Sequence, residues 1–460
     1  MNAVAGSDDG KLYAAHAKVY PREVTGRYNR LRVLSVFALL GFFYGMPWVQ
    51  WEGRQALLFD LPARKFYVLG LTFFPQDFFL LTWLLIICAL SLFFFTALAG
   101  RLWCGYACPQ TAWTQVFVWM ERWTEGTRQQ QMKLDQASWT ANKVLRKSAK
   151  QALWIGFSAF TGYTFVGYFT PIHSLSSDLV SGAAGGWAIF WCAFYGFATY
   201  GNAGFMREQV CKYMCPYARF QGAMFDNDTL IISYDEERGE PRGSRSRTVD
   251  PRSKGLGDCT DCTLCVQVCP TGIDIRKGLQ LECIACAACI DACDAVMDKM
   301  QYPRGLIRYS TQHAMDKEPT RVVRPRTVIY AILLLVLVAG FATAVAQRRL
   351  VQVDVLRDRN SLFRETADGS VENVYTLRLI NKDTRAHRLH FTVENLPGAI
   401  IDADRSEYAV GGGEVVSVVA RIRVQAGSVS GGRDVIIVAN SLDGAIHTTT
   451  KARFIAPVGR

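Results

Sequence analysis

Fourteen of the 460 residues are cysteine, and twelve of these fall into two recurring spacings. Between Gly257 and Asp294 the chain reads Cys259-x-x-Cys262-x-x-Cys265-x-x-x-Cys269-Pro270, then Cys283-x-x-Cys286-x-x-Cys289-x-x-x-Cys293. Thiolates ligate iron–sulfur clusters, and this doubled run is the pattern of a two-cluster ferredoxin, in which the fourth cysteine of each run crosses to the other cluster. The spacing predicts one 4Fe–4S cluster on Cys259, Cys262, Cys265 and Cys293, and a second on Cys283, Cys286, Cys289 and Cys269. Small residues such as Gly272, Ala285, Ala287 and Ala288 let the backbone come close and donate hydrogen bonds to sulfur. Zinc also binds paired C-x-x-C motifs, but it needs only four ligands. The second run ends Cys293-Asp294 where the first has Cys269-Pro270, so its turn and local charge differ.

The other spacing is C-x-x-x-C-P, found at Cys104-Gly105-Tyr106-Ala107-Cys108-Pro109 and again at Cys211-Lys212-Tyr213-Met214-Cys215-Pro216. Residues i and i+4 share a helical face, and proline directly afterwards marks a new helix or a sharp turn. Cys104, Cys108, Cys211 and Cys215 are candidate metal ligands: four soft thiolates suit Cu(I), zinc or an iron–sulfur cluster. Unligated packing cysteines at helix ends are the plainer alternative. That is the reading given to Cys88 and Cys192, which lie inside apolar stretches.

Both twin motifs follow long uncharged stretches, so the elements that must hold them are membrane helices. Val33 to Trp51, Phe78 to Gly100, Gln151 to Ser177, Leu179 to Met206 and Thr327 to Gln347 are each long enough to cross a bilayer. Only Asp178 separates the third and fourth, which predicts a hairpin turning near Ser176 to Gly186. Phe66 to Phe74 is too short to span and reads as interfacial, and the helix after Pro109 is expected flat on the inner leaflet. The net charge of +11 follows the membrane rule: Lys11, Lys18, Arg22, Arg27, Arg30 and Arg32 precede the first span, and eight basic residues lie between the second and third. Those segments belong on the cytoplasmic side. Such dispersed basicity argues against nucleic-acid binding. No cysteine falls outside, as expected where disulfides are not used.

These signals predict a multi-domain membrane protein. A five-helix α-helical transmembrane domain carries an inserted ferredoxin-like α+β domain with two 4Fe–4S clusters, and a C-terminal immunoglobulin-like β-sandwich follows. The divisions are a cytoplasmic arm (1–32), four membrane helices with the twin motifs (33–225), a cytoplasmic linker (226–256), the ferredoxin segment and its linker (257–326), a fifth membrane helix (327–347) and the β domain on the far side (348–460). The sandwich reading rests on alternating runs such as Tyr375 to Leu379, separated by turns at Gly411 to Gly413 and Gly431-Gly432.

The arrangement closely resembles the CcoG/FixG/RdxA family of cytochrome oxidase accessory proteins. The resemblance is most specific in Tyr234 to Arg242, Gly257 to Met297, Gly305-Leu306-Ile307-Arg308-Tyr309 and Leu356-Arg357-Asp358-Arg359-Asn360. It implies a bacterial cytoplasmic (inner) membrane location with a periplasmic C-terminal domain, and participation in assembly of the cbb-type oxidase. It further implies reduction of Cu(II) to Cu(I), with Cys104, Cys108, Cys211 and Cys215 handling copper and the eight ferredoxin cysteines feeding electrons from a cytoplasmic donor. Copper ions, a copper chaperone or transporter, and oxidase assembly intermediates are then the expected partners; monomer and homodimer both stay open. Alternatives are an electron-transfer subunit serving quinone or a periplasmic reductase, with a third cluster on the twin motifs, or a redox-sensing assembly scaffold.

Overall fold

A computed structural model describes residues 18–247, 254–358, 361–425, 427–442, 444 and 446–457. Lys11 of the basic arm, residues 248–253 of the expected linker, and Arg359 and Asn360 of the family-like stretch lie outside the described residues. The helices run α1 Arg27–Gly45, α2 Phe78–Ala99, α3 Leu102–Tyr106, α4 Pro109–Glu125, α5 Arg128–Gln136, α6 Ala141–Val166, α7 Ile172–Ser181, α8 Gly186–Thr199, α9 Pro216–Met224, α10 Glu236–Gly239, α11 Leu264–Gln267, α12 Ala288–Met300, α13 Gln312–Met315 and α14 Pro325–Ala346. Two compact units emerge, one built from residues 1–45, 88–166 and 185–335, the other from 46–87, 167–184 and 336–460.

Among the described residues three helices are long and apolar enough to cross a membrane: α1 with its extension to Trp48, α2 with its lead-in from Pro75, and α14. The expected count of five narrows for two physical reasons. Helix α6 opens on Asn142, Lys143, Arg146, Lys147 and Lys150, so its uncharged part, 151–166, reaches only about 24 Å at 1.5 Å per residue. The fourth stretch is broken between Ser181 and Gly186: α7 and the helix continuing from Gly186 to Met206 meet at 102° and make at most one bent span. The expected hairpin turn near 176–186 is therefore a helix end and a bend, and α6 has already stopped at Val166.

In the first unit α6 and α8 approach very closely. A methyl on Gly162 would sit 2.1 Å from the Cys192 carbonyl oxygen, so a larger residue would force the two helices apart. Helix α4 packs into the same bundle: Phe117 and Trp154 are buried ring against ring, 5.2 Å apart, with Ala203 and Met120 beside them. It acts as a packing helix on this face, while Trp123 points outward. Ions are buried there in pairs. Arg207 donates to Glu121 at 2.9 Å, and Lys150 meets Glu125 at 2.8 Å.

The ferredoxin segment is closed by a strand pair, Ile231–Tyr234 against Ile307–Ser310. The first strand falls in the stretch read as a linker; Ile232 and Tyr234 bury against Met297, Leu306 and Ile307 and contribute to the core. Asp294 accepts the Gly305 amide at 3.0 Å, so the carboxylate that replaces proline in the second run anchors the approach to the second strand.

In the second unit Phe66 to Phe74 supplies two strands of a small meander, Leu57–Asp60, Lys65–Val68 and Leu71–Phe73. Residues 351–455 form two antiparallel sheets. One orders Ile400–Ala403, Val415–Val424, Val371–Asn381 and Val351–Arg357; the other orders Tyr408–Val410, His387–Glu394, Gly432–Ser441 and His447–Ile455. Alternate residues, including Tyr375, Leu377 and Leu379 from one sheet and Leu389, Val435 and Ile437 from the other, fill the space between. Asp77 forms a buried ion pair with Lys382 at 2.6 Å.

Candidate redox site

The two four-cysteine runs fold alike. In each, the residues either side of the middle cysteine have positive φ: Asp261 at 50° and Thr263 at 55°, Ala285 at 51° and Ala287 at 57°. None is glycine, so this backbone is adopted against local preference. Left-handed residues placed this way turn backbone N–H groups toward one point, the kind of concave nest that receives anions and iron–sulfur sulfurs. Short helices α11 and α12 begin directly after Thr263 and Ala287.

Cys259, Cys262, Cys265 and Cys293 line one cavity, together with Tyr234, Met297 and Ile307. Cys269, Cys283, Cys286 and Cys289 line a second, and Cys265 also borders it. Each cavity thus gathers three cysteines of one run with the last cysteine of the other, and Cys265 is common to both. Burial pushes the Cys265 thiol up to about 11 and those of Cys283 and Cys293 up to about 12. These thiols stay protonated at neutral pH unless a metal displaces the proton. Eight thiols around two apolar cavities with nests of amides fit two clusters. Cys262 is exposed, whereas Cys286 is buried.

The twin motifs also fold alike. Cys108 and Cys215 are each the N-cap of a helix whose first residue is proline, with φ, ψ of −69°, 127° and −79°, 110°. Cys104 lies on α3 and Cys211 on a π-helical turn, Val210–Met214. Burial raises the Cys104 thiol to about 11, and Cys108 and Cys215 add to the effect; burial raises Cys211 to about 12, helped by Cys108, Cys104 and Cys215. Gln221 of α9 reaches across, its amide nitrogen 3.6 Å from the Cys104 sulfur. Among the described residues no three His, Cys, Asp or Glu side chains form a group ready to hold a single metal ion.

What joins the two halves of the site left no mark in the spacing. Gly105 is pressed against the second run: a methyl there would lie 2.8 Å from the Ile284 oxygen, 2.9 Å from that of Ala285 and 3.0 Å from the Cys286 Cα. Tyr309 donates to the Ala285 carbonyl at 2.7 Å and its hydroxyl lies 3.5 Å from that of Tyr106. Arg101 is 4% exposed and donates to the carbonyls of Leu281 and Ala218, tying the second run to the helix that follows the second twin motif. Asp291, between Cys289 and Cys293, accepts the amides of Tyr28 at 3.2 Å and Asn29 at 2.7 Å and so caps the first turn of α1.

Comparison with known proteins agrees with this geometry. Residues 206–312 match the model of a 4Fe-4S dicluster domain, 81–125 that of a 4Fe-4S binding domain, and 341–457 that of an IG-like fold at the C-terminus of FixG. Nitrogen fixation protein FixG of Rhizobium meliloti is 38% identical over 427 residues, covering 85% of this chain and 82% of its own. Protein RdxA of Cereibacter sphaeroides is 40% identical over 403 residues, 84% of each chain. A crystal structure of a FixG-related protein from Vibrio parahaemolyticus, 24% identical with a TM-score of 0.22, covers 24% of this chain and 97% of its own. A membrane iron–sulfur electron-transfer protein is what these matches describe, and their identity and extent make this chain a member of the CcoG/FixG/RdxA family.

Proposed function

We propose that the protein reduces Cu(II) to Cu(I) at the twin motifs and supplies copper for assembly of a cbb-type oxidase. One 4Fe–4S cluster is assigned to Cys259, Cys262, Cys265 and Cys293, the other to Cys283, Cys286, Cys289 and Cys269; when bound they supply one-electron carriers of low potential. Entry of electrons from a cytoplasmic donor through the first cluster is supported by the exposure of Cys262. Cys265 borders both cavities and keeps the first-run and second-run cysteines adjacent. The observation that carries the reading is the packing of Gly105 on the second run, which sets Cys104 beside Cys286 in one apolar cluster. Cys104, Cys108, Cys211 and Cys215 then retain Cu(I), a soft ion that thiolates prefer. The N-terminal arm and ferredoxin segment are assigned to the cytoplasm and the β domain to the periplasm, by the distribution of basic residues.

The test is Cu(II) reduction by pre-reduced protein carrying Cys104→Ala or Cys211→Ala. Loss of reduction with both clusters intact supports the reading; unchanged reduction removes copper from these thiols. A second reading has its own observation: the 4Fe-4S binding domain matched over 81–125 contains Cys104 and Cys108. On that reading the twin motifs hold a third cluster and the protein serves another acceptor. Iron and copper per chain separate them, with about eight irons for two clusters and about twelve for three.

A further inference from the structure

One cavity in the first unit is not used by the electron path. It touches Cys286 of the second run on one wall and Cys211 of the second twin motif on another, and four arginines, Arg22, Arg32, Arg122 and Arg207, line it against two carboxylates, Glu23 and Glu208, leaving an excess of positive charge. Two of them are already engaged. Arg207 donates to Glu121 at 2.9 Å, and Arg122 meets Glu23 at 3.7 Å. Arg32 is not fully satisfied. It is 7% exposed, one terminal nitrogen donates to Asn29 at 2.8 Å, and its Nε is buried without a hydrogen-bond partner.

Arginines gathered around one cavity repel one another, most strongly where they are buried, as Arg32 and Arg207 are. Burial lowers the Arg122 guanidinium below its ordinary value and Arg32 pushes it further, against the opposing pull of Glu23. Such a site disfavours a bare divalent cation and favours an anion. The planar guanidinium fork matches carboxylate oxygens, and a charge-assisted hydrogen bond in a desolvated site is among the stronger polar contacts.

We propose that this cavity binds small carboxylate-bearing anions, and that copper meets Cys211 inside such an anion, as a net-negative chelate rather than a hydrated cation. The second half rests on the copper reading above. In that step one electron passes from the reduced protein to Cu(II), giving Cu(I). The copper–carboxylate bonds break as a copper–sulfur bond forms on Cys211, whose thiol proton leaves with the departing carboxylate. The anion itself is neither oxidised nor reduced.

The experiment uses purified full-length protein with its clusters in place. Binding of metal-free citrate is measured by equilibrium dialysis, and copper reduction is followed from anionic Cu(II)–citrate and from neutral Cu(II)–bis(glycinate). Arg32→Gln is expected to weaken citrate binding about tenfold or more, the worth of one charge-assisted contact. It should slow reduction of the citrate chelate and leave that of the glycinate chelate unchanged. Iron per chain reports folding; if Arg32→Gln loses iron, Arg122→Gln takes its place. Absence of citrate binding to the unaltered protein overturns the proposal, as does equal slowing of both chelates. Inorganic phosphate that displaces citrate with equal affinity overturns the carboxylate assignment. Citrate binding that Arg32→Gln abolishes, with neither chelate reduced by the unaltered protein, sustains the anion site and sinks the copper reading instead.

Discussion

Replacing Gly105 by alanine tests the junction on which the electron path depends. The added methyl would stand 2.8, 2.9 and 3.0 Å from three backbone atoms of Ile284, Ala285 and Cys286, whereas ordinary contact begins at 3.4 Å. None belongs to a side chain that can rotate away. The first twin motif and the second run must therefore separate by about 0.4–0.6 Å, the shortfall at those contacts. Overpacking a closely packed site costs about 1–3 kcal/mol. If the strain is relieved by undocking, the docked-to-undocked ratio falls by about 5- to 150-fold. The assay is stopped-flow oxidation of the pre-reduced clusters by Cu(II), with iron per chain and the spin-resonance spectra as controls. The expected result is unchanged clusters and slowed oxidation. Gly156→Ala is the matched control, since a methyl there meets nothing within 4 Å. Unaltered oxidation kinetics in Gly105→Ala would refute the argument that this contact carries the electron.

Three further outcomes follow from the same structure. The Cys104 and Cys211 thiols, raised by burial to about 11 and about 12, are protonated at neutral pH. Metal binding must displace those protons, so metal affinity at the twin motifs should rise with pH by about tenfold per unit for each proton released, as competition titrations between pH 6 and 8 would report. Lys382→Met removes the partner 2.6 Å from buried Asp77 and leaves it Arg348 at 4.0 Å, and should destabilise the second unit by about 1–3 kcal/mol in thermal melts without altering the cluster spectra. Asp291→Ala removes the acceptor for the Tyr28 and Asn29 amides and should cost about 0.5–2 kcal/mol, visible as faster hydrogen exchange at the start of α1.

The grouping of the eight ferredoxin-type cysteines was legible because ligands of one cubane recur at short fixed intervals. The twin motifs were legible for the same reason, and their proline positions foretold helices that start at Pro109 and Pro216. The sandwich was readable from strict alternation, as in Tyr375, Leu377 and Leu379. Span counting went further than the structure supports, because hydropathy sees neither the break between Ser181 and Gly186 nor the polar opening of α6. The contacts that assemble the site had no local signal. Gly105, Arg101 and Tyr309 act on residues far away in the chain, and each looks ordinary among its sequence neighbours. The strand Ile231–Tyr234 was hidden for a related reason: four residues of strand were averaged into a polar stretch.

The capping of α1 by Asp291 has a consequence for how the chain is made. Helix α1 leaves the ribosome well before Asp291, for the carboxylate that receives its first-turn amides lies 262 and 263 residues downstream. Until that residue is synthesised and its segment has folded, the helix carries unsatisfied donors at its entry to the bilayer. Because Asp291 stands between Cys289 and Cys293, its position depends on the fold of the second run. Completion of α1 is thereby coupled to folding of the second run, and if that run is ordered by a cluster, chains made under iron starvation are expected to carry α1 with a frayed start, open to proteolysis.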